Sequence, residues 1–361
     1  VHPNMMTYVM TPDYTKDLSH ITRVIGEGFP IQARRWANTD SAKAAADKRD
    51  LDVYYSGQNN HVRRQQCIEA LDTLDVTKLV CVSEGFTQGL GHEEYFTNMA
   101  NSKVVACPSG PATVDSFRFF EALEYGCIPL ADTLTPEGKG ENYWQRLFNS
   151  QEPPFEIIRD WEHVGGNVAN RLTNWRSQSN ICFAWWQNYK REFVYNLVND
   201  VHALSGAESE ESYTADNVTV LVATSPIRSH PSTDIIQTTL DSIRRVLPRS
   251  EILIMIDGVR PEQEYLRAEY EQYIGRLLWM INTEYGNVLP VLAQEFNHQS
   301  GMTRMALPLV KTPNIMFVEH DTPLIGDIDI SGIIGAVNAG GVDLVRLHHE
   351  THVLVEHEHM M

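Results

Sequence analysis

The sequence has no apolar run approaching the roughly 20 residues that a membrane-spanning helix requires. It also lacks G-x-G-x-x-G and G-x-x-x-x-G-K-[ST] sequences, which argues against dinucleotide oxidoreductases and P-loop kinases. Basic residues are scarce: 29 Lys and Arg against 47 Asp and Glu give a formal net charge of −18. This balance disfavours a broad surface for nucleic acid or anionic lipid, so any anionic ligand must be held by a local site.

Paired cysteines are missing as well. The five cysteines are an odd number without a C-x-x-C pair, and Cys81, Cys107 and Cys127 lie in or beside apolar, strand-like runs. This pattern predicts buried free thiols in a reducing compartment, so we expect a cytoplasmic protein.

The length and the order of the elements predict an α/β protein with more than one domain. A chain of 361 residues is long for a single core. Strand-like runs alternate with helical stretches before residue 204, and "VTVLVATS", a helical stretch and "EILIMIDG" form a second β-α-β pattern after residue 217. Such alternation predicts parallel sheets covered on both faces. The acidic segment 204–217 between them reads as a solvated linker.

The stretch "SFRFFEALEYGCIPLAD", residues 116–132, reads as a helix that Gly126 ends just before a buried strand. Arg118 and Glu121 lie three residues apart and therefore share a helical face. A surface ion pair would explain them without any function. Loops rich in small residues and arginine follow three of the preceding strands, however, and a diphosphate fits such a surface. Glu121 could then accept hydrogen bonds from ribose hydroxyls.

The motif R-x-x-E-A-x-x-x-G-C-I-P, read from Arg118 to Pro129 together with "SKVVACPSG" and "YYSG", resembles the donor-binding half of exostosin-like glycosyltransferases of the GT-B fold. The resemblance implies a Rossmann-like half-domain with a helical tail over residues 51–203. It implies that residues 1–50 are the remnant of a preceding Rossmann-like region. It also implies donor contacts at Gly57, Arg63, Arg64, Ser109, Arg118 and Glu121.

The helical tail at 152–203 contains four of the tryptophans, at 161, 175, 185 and 186. Aromatic packing onto the first sheet explains them best, and a stacking platform for a ligand is the alternative.

The second pattern ends in "NIMFVEHDTPL", a strand that leads into Glu319-His320-Asp321. Carboxylates one residue apart at a strand end point the same way and can reach one divalent cation, although solvated strand-end acids are common. With the preceding strands, the triplet resembles the nucleotide-binding half of GT-A glycosyltransferases. That likeness implies a GT-A-type domain over 218–361, incomplete at its C-terminus, with Mn²⁺ or Mg²⁺ at Glu319 and Asp321. It also implies donor contacts at Asp257 and at Arg304, which we place at the start of a helix.

The sequence thus predicts a hexosyl- or pentosyltransferase that moves sugar from a nucleotide-diphosphate donor such as a UDP-sugar, with metal dependence in the second module. The acceptor is a glycan, a virion protein or a modified DNA base, in a bacterial or bacteriophage-infected cell, and the acidic charge weighs against nucleic acid. The alternative is a catalytically silent sugar-nucleotide or glycan-binding module of a larger assembly. No general base is assigned.

Overall fold

The computed structural model describes residues 6–10, 22–85, 88–148, 152–205 and 217–347. The elements of the first half are β1 (Thr7–Val9), β2 (Thr22–Val24), α1 (Ile31–Ala37), α2 (Asp40–Lys48), β3 (Leu51–Gln58), α3 (Val62–Asp72), β4 (Lys78–Ser83), α4 (His92–Ala100), β5 (Ser102–Cys107), α5 (Phe117–Glu124), β6 (Ile128–Asp132), α6 (Tyr143–Leu147), β7 (Glu156–Ile158), α7 (Val164–Thr173) and α8 (Trp175–Ser205). Those of the second half are β8 (Val218–Thr224), α9 (Asp234–Val246), β9 (Ile252–Ile256), α10 (Arg267–Thr283), β10 (Val288–Leu292), α11 (His298–Ala306), β11 (Asn314–Glu319) and α12 (Ile330–Asn338).

The first sheet has the strand order β4-β3-β5-β6-β7, and every neighbouring pair is parallel. Apolar strands such as Ile128–Asp132 are buried along their whole length because helices cover both faces. The connection from β3 leads to β4 on one side of the sheet, and the connection from β5 leads to β6 on the other side. The strand order therefore reverses between β3 and β5. In open α/β sheets a ligand binds at such a reversal, outside the carboxyl ends of the strands.

The second sheet is also parallel and has the order β10-β9-β8-β11. β9 and β10 lie in succession on one side of β8, and β11 lies on its other side. The predicted α/β class with parallel sheets is therefore confirmed for both halves of the chain. The edge strand β11 is more exposed than the others, because Ile315 and Phe317 both face solvent.

The helix that carries Arg118 ends where the sequence predicts. Gly126 adopts a left-handed φ of +61°, and the amide of Cys127 donates to the carbonyl of Ala122 at 2.9 Å. A Cβ at position 126 would stand 2.8 Å from the ring of Phe183 on α8. Glycine is thus required twice here, once for the turn and once for the packing of α8.

The two halves pack against each other through α8 and α10. The side-chain amide of Asn180 donates to the carbonyl of Glu271 at 2.9 Å. Near the other end of α10, the amide of Asn282 donates to the carboxylate of Glu124 at 2.9 Å. The predicted linker begins as helix, since α8 runs to Ser205, and residues 206–216 lie outside the described part of the chain.

The packing of the cysteines and of the tryptophans in the helical tail was also predicted from the sequence. All five cysteines are free thiols, as expected, and four of them are buried. Three of the four tryptophans of the helical tail pack as the first reading proposed: Trp161 and Trp186 are buried, and Trp185 lies against Phe148 and Tyr189. Trp175 is half-buried. No helix in the described ranges is long and apolar enough to cross a bilayer.

Candidate functional site

The loops that follow β3 and β5 meet the first turn of α5 at the strand reversal of the first sheet. We refer to residues 57–64, residues 108–116 and the start of α5 together as the cradle. The loop 108–116 is held in place by Asp132, whose carboxylate accepts the amide of Ser109 at 3.2 Å. The same carboxylate accepts the indole N–H of Trp161 at 3.2 Å. Asp132 therefore links the cradle to the helical tail.

Arg118 lies inside the cradle with only 7% of its surface exposed. Its Nε donates to the carbonyl of Ser56 at 2.8 Å, and its guanidinium stacks over the ring of Tyr55 at 4.6 Å. The Nη1 atom is buried and has no hydrogen-bond partner among the described residues. Since a guanidinium stays charged and a buried donor without a partner is costly, this group favours an anionic ligand.

Glu121 lies one turn further along α5 and is also buried. Tyr95 donates its hydroxyl to the Glu121 carboxylate at 2.6 Å. Burial raises the pKa of Glu121, and the hydrogen bond from Tyr95 acts in the opposite direction. Both Arg118 and Glu121 are interior groups, so the reading of this pair as a solvated surface ion pair is wrong.

The two arginines of α3 have different environments. Arg64 is buried in the cradle, where its Nε donates to the carbonyl of Ser109 and its Nη1 to the side chain of Asn60, both at 3.3 Å. Burial and the nearby charge of Arg118 lower the pKa of Arg64. Arg63 is bound to Asp132 as an ion pair and reaches the carbonyl of Arg159. Arg64 is thus the cation with spare capacity for a ligand.

Three further side chains of the cradle, His61, Asp115 and Ser116, were not predicted from the sequence. In the cradle, the buried atoms without a hydrogen-bond partner among the described residues are His61 Nδ1, Ser109 Oγ, Asp115 Oδ1, Ser116 Oγ and Arg118 Nη1. Buried polar atoms are normally bonded, so this concentration marks a place built to receive polar ligand atoms. The composition of "CPSGPATVDSFR" could have pointed to Ser116, since serine commonly precedes a helix that binds an anion.

Glu27 was also missed, because the sequence analysis treated residues 1–50 only as a remnant. Its carboxylate accepts the hydroxyl of Thr113 at 3.0 Å and the amide of Phe117 at the start of α5. The amide of Glu27 in turn donates to the carboxylate of Asp115 at 2.8 Å. Burial raises the pKa of Glu27, and the neighbouring charge of Asp115 raises it further. Glu27 thus places a carboxyl group at the first turn of α5.

At the second sheet, Asp257 follows β9 and is buried. Its Oδ1 accepts the amides of Gly258 and Asn297, both at 2.8 Å, so one oxygen fixes two neighbouring loops. Arg304 is exposed and lies in the last turn of α11. The prediction that Arg304 starts a helix is wrong: the helix begins at His298, before the residues "QSGMT" that separate the two.

Glu319 and Asp321 are both exposed at the end of β11, and His320 between them is buried. The Nδ1 of His320 lies 3.2 Å from the carbonyl of Ala223 on the adjacent strand. No cluster of three or more His, Cys, Asp or Glu side chains that could bind a metal occurs in the described part of the chain. A divalent cation at Glu319 and Asp321 therefore stays a prediction.

His230 packs beside this edge, with its ring stacked on that of Tyr273 at 3.9 Å. Its Nδ1 accepts the amide of Ile227 at 3.3 Å, whereas Nε2 is buried and without a partner in the described residues. Burial lowers the pKa of His230 to about 4, and the charge of His320 acts in the same direction. His230 is therefore neutral at neutral pH.

Comparison with known protein families finds a match in the first half of the chain. A search of curated proteins gave no match. Residues 49–204 match the family model described as RXYLT1 C-terminal domain, which covers the first sheet, the cradle and the helical tail. This is a xylosyltransferase family related to the exostosins, and the likeness of residues 49–204 to it supports a glycosyltransferase.

Proposed function

We propose that this protein transfers a sugar from a UDP-sugar bound in the cradle of the first sheet. The observation that carries the proposal is the group of buried polar atoms without partners that surrounds Arg118. A sugar diphosphate would supply acceptors for the guanidinium and for the serine hydroxyls. Because the matched family is a xylosyltransferase family, we propose a pentose donor, with UDP-xylose as the first candidate.

Arg118 and Arg64 would bind the diphosphate and stabilise the charge that develops on it as the bond to the sugar breaks. Both guanidiniums are fixed by hydrogen bonds to backbone carbonyls, so little reorganisation is needed when that charge appears. Glu121, oriented by Tyr95, would accept hydrogen bonds from the ribose. Ser109 would be a further donor contact, and Gly57 would contribute by giving Arg118 its space.

At the second sheet, Glu319 and Asp321 would hold Mn²⁺ or Mg²⁺, which when bound neutralises charge on a diphosphate. Asp257 and Arg304 are the donor contacts proposed there. A glycan hydroxyl is the preferred acceptor, since the net charge of −18 disfavours a nucleic acid. The free cysteines support a reducing, cytoplasmic setting.

The test is release of UDP by slow hydrolysis of the donor. The protein is incubated with UDP-xylose or UDP-glucose, in Mn²⁺ or in EDTA, and UDP is quantified. The proposal expects release that Arg118→Lys strongly lowers. Asp321→Asn lowers it only if the second sheet contributes, and Asp327→Asn, a change at another exposed acid of the same half, serves as its control. Absence of both UDP release and UDP binding would refute the proposal.

A second candidate is a sugar-nucleotide-binding module without turnover. It is favoured by the position of Glu27, whose carboxylate accepts the amide of Phe117 in the first turn of α5 and the hydroxyl of Thr113. Saturable UDP binding without UDP release from any donor would support this candidate over the enzyme.

A further inference from the structure

A cleft of about 380 Å³ lies at the junction of the two halves of the molecule. One wall is formed by α2 and the start of α8, and the other by α10 and the start of α9. Its apolar lining includes Trp175, Trp279 and Met280. The volume and the mixed lining are those of a binding site for a small molecule. The cleft shares no lining residue with the cradle.

The side chains around the cleft leave an excess of positive charge. Four cationic residues line it against two carboxylates. Both carboxylates are already paired: Arg276 binds Asp47 through Nε and Nη2, each at 2.7 Å, and Lys43 binds Glu284 at 2.7 Å. The other two cations are Arg49 and Arg176, and neither has a carboxylate within 4.0 Å in the described ranges.

Arg49 and Arg176 differ in how they could serve a ligand. Arg49 is buried, and its guanidinium donates hydrogen bonds to the carbonyls of Ser102 and Tyr125. Arg176 is half-buried and stacks on the ring of Trp175 at 4.4 Å. It makes one hydrogen bond, at 3.3 Å, to the carbonyl of Asp47. Burial and the charge of Arg49 lower the pKa of Arg176, and the charges of Asp47 and Glu271 act in the opposite direction.

We propose that this cleft binds a small phosphomonoester dianion, with Arg176 as its principal anchor. A phosphate matches the planar fork of a guanidinium and would supply the negative charge that the cleft lacks. The organic part of the ligand would pack against Trp175 and Trp279. Since the walls come from both halves of the chain, the bound ligand would hold the halves together, independently of any donor in the cradle.

The test is isothermal titration of the full chain with ribose 5-phosphate, ribose and inorganic phosphate. We expect saturable binding of ribose 5-phosphate, weaker binding of inorganic phosphate and none of ribose. Preference for ribose 5-phosphate over inorganic phosphate means that the walls contact an organic group. Equal affinity for the two means that the site takes free phosphate, and absence of saturable binding overturns the proposal.

Variants separate this cleft from the cradle, which can also attract phosphate. Arg176→Gln should weaken binding of ribose 5-phosphate by about tenfold or more and leave UDP binding unchanged. Lys48→Gln removes an exposed charge from α2, another helix that lines the cleft, and should have no effect. Ala44→Trp fills the cleft without changing its charge and should abolish the binding of ribose 5-phosphate. Equal affinities in wild type, Arg176→Gln and Ala44→Trp would contradict the assignment.

Discussion

The guanidinium of Arg118 lies directly over the backbone of Gly57, so close that a Cβ at position 57 would stand 2.1 Å from Nη2. The same Cβ would stand 3.2 Å from Cζ of Arg118. Glycine at the end of β3 therefore gives the arginine the space in which it bonds to Ser56 and stacks on Tyr55. The position of the proposed diphosphate ligand depends on a residue that need not touch the diphosphate.

Replacement of Gly57 by Ala should displace the guanidinium and weaken UDP binding by about tenfold or more, because a charged hydrogen bond is lost. The fold should survive, at a cost of about 1–3 kcal/mol in the free energy of unfolding, since the atoms that must move are the end of a side chain. Titration calorimetry measures the first effect and urea denaturation the second. Gly166→Ala, in a helix of the same half where the added Cβ has open space, is the matched control and should bind UDP normally.

Glu27 should oppose donor binding. Its carboxylate accepts the Phe117 amide at the start of α5, so Glu27→Gln removes a negative charge next to the proposed diphosphate position. We expect UDP affinity to increase by about tenfold. Glu137→Gln, at a carboxylate whose side chain is 71% exposed, should leave the affinity unchanged. A loss of UDP affinity in Glu27→Gln would mean that this carboxylate supports the donor site.

The raised pKa of Glu27 gives this prediction a pH dependence. As pH falls toward that pKa, Glu27 of the wild-type protein takes up a proton and no longer repels the diphosphate of UDP. The Gln of Glu27→Gln does not titrate. The gain in affinity caused by the substitution should therefore shrink as pH is lowered from 8 toward 5.5. Titration of UDP itself is common to both proteins and cancels in the comparison. A gain that stays constant over this range would show that Glu27 does not titrate there.

The sequence was sufficient for seven of the nine strands in the two larger sheets, because each of the seven is a short apolar run between helical stretches. It did not predict β7 and β10. It was also sufficient to place Arg118 and Glu121 together, since residues three apart on a helix share a face. It could not show that Arg63 is bound to Asp132 while Arg64 has spare capacity, because that choice depends on contacts 69 residues apart in the chain. Glu27 was missed for the same reason: its partner Asp115 is 88 residues away.

Burial of His230 should make the protein less stable in mild acid. A group whose pKa is lowered to about 4 in the folded state and is 6.5 in the unfolded chain favours unfolding as pH falls through that window. The contribution lost between pH 7 and pH 5 is about 2 kcal/mol. Urea denaturation at the two pH values measures it. His230→Gln should reduce the difference, whereas His92→Gln, at an exposed position, should not.

The most direct test of the account is titration of UDP into the wild-type protein and into Arg118→Lys. Lysine cannot hold Ser56, stack on Tyr55 and reach a diphosphate at once, so the affinity should fall by about tenfold or more while circular dichroism stays unchanged. Arg159→Lys is the control, because the side chain of Arg159 is 80% exposed. Equal UDP affinity in wild type and Arg118→Lys, or no UDP binding by the wild type, would contradict a donor site in the cradle.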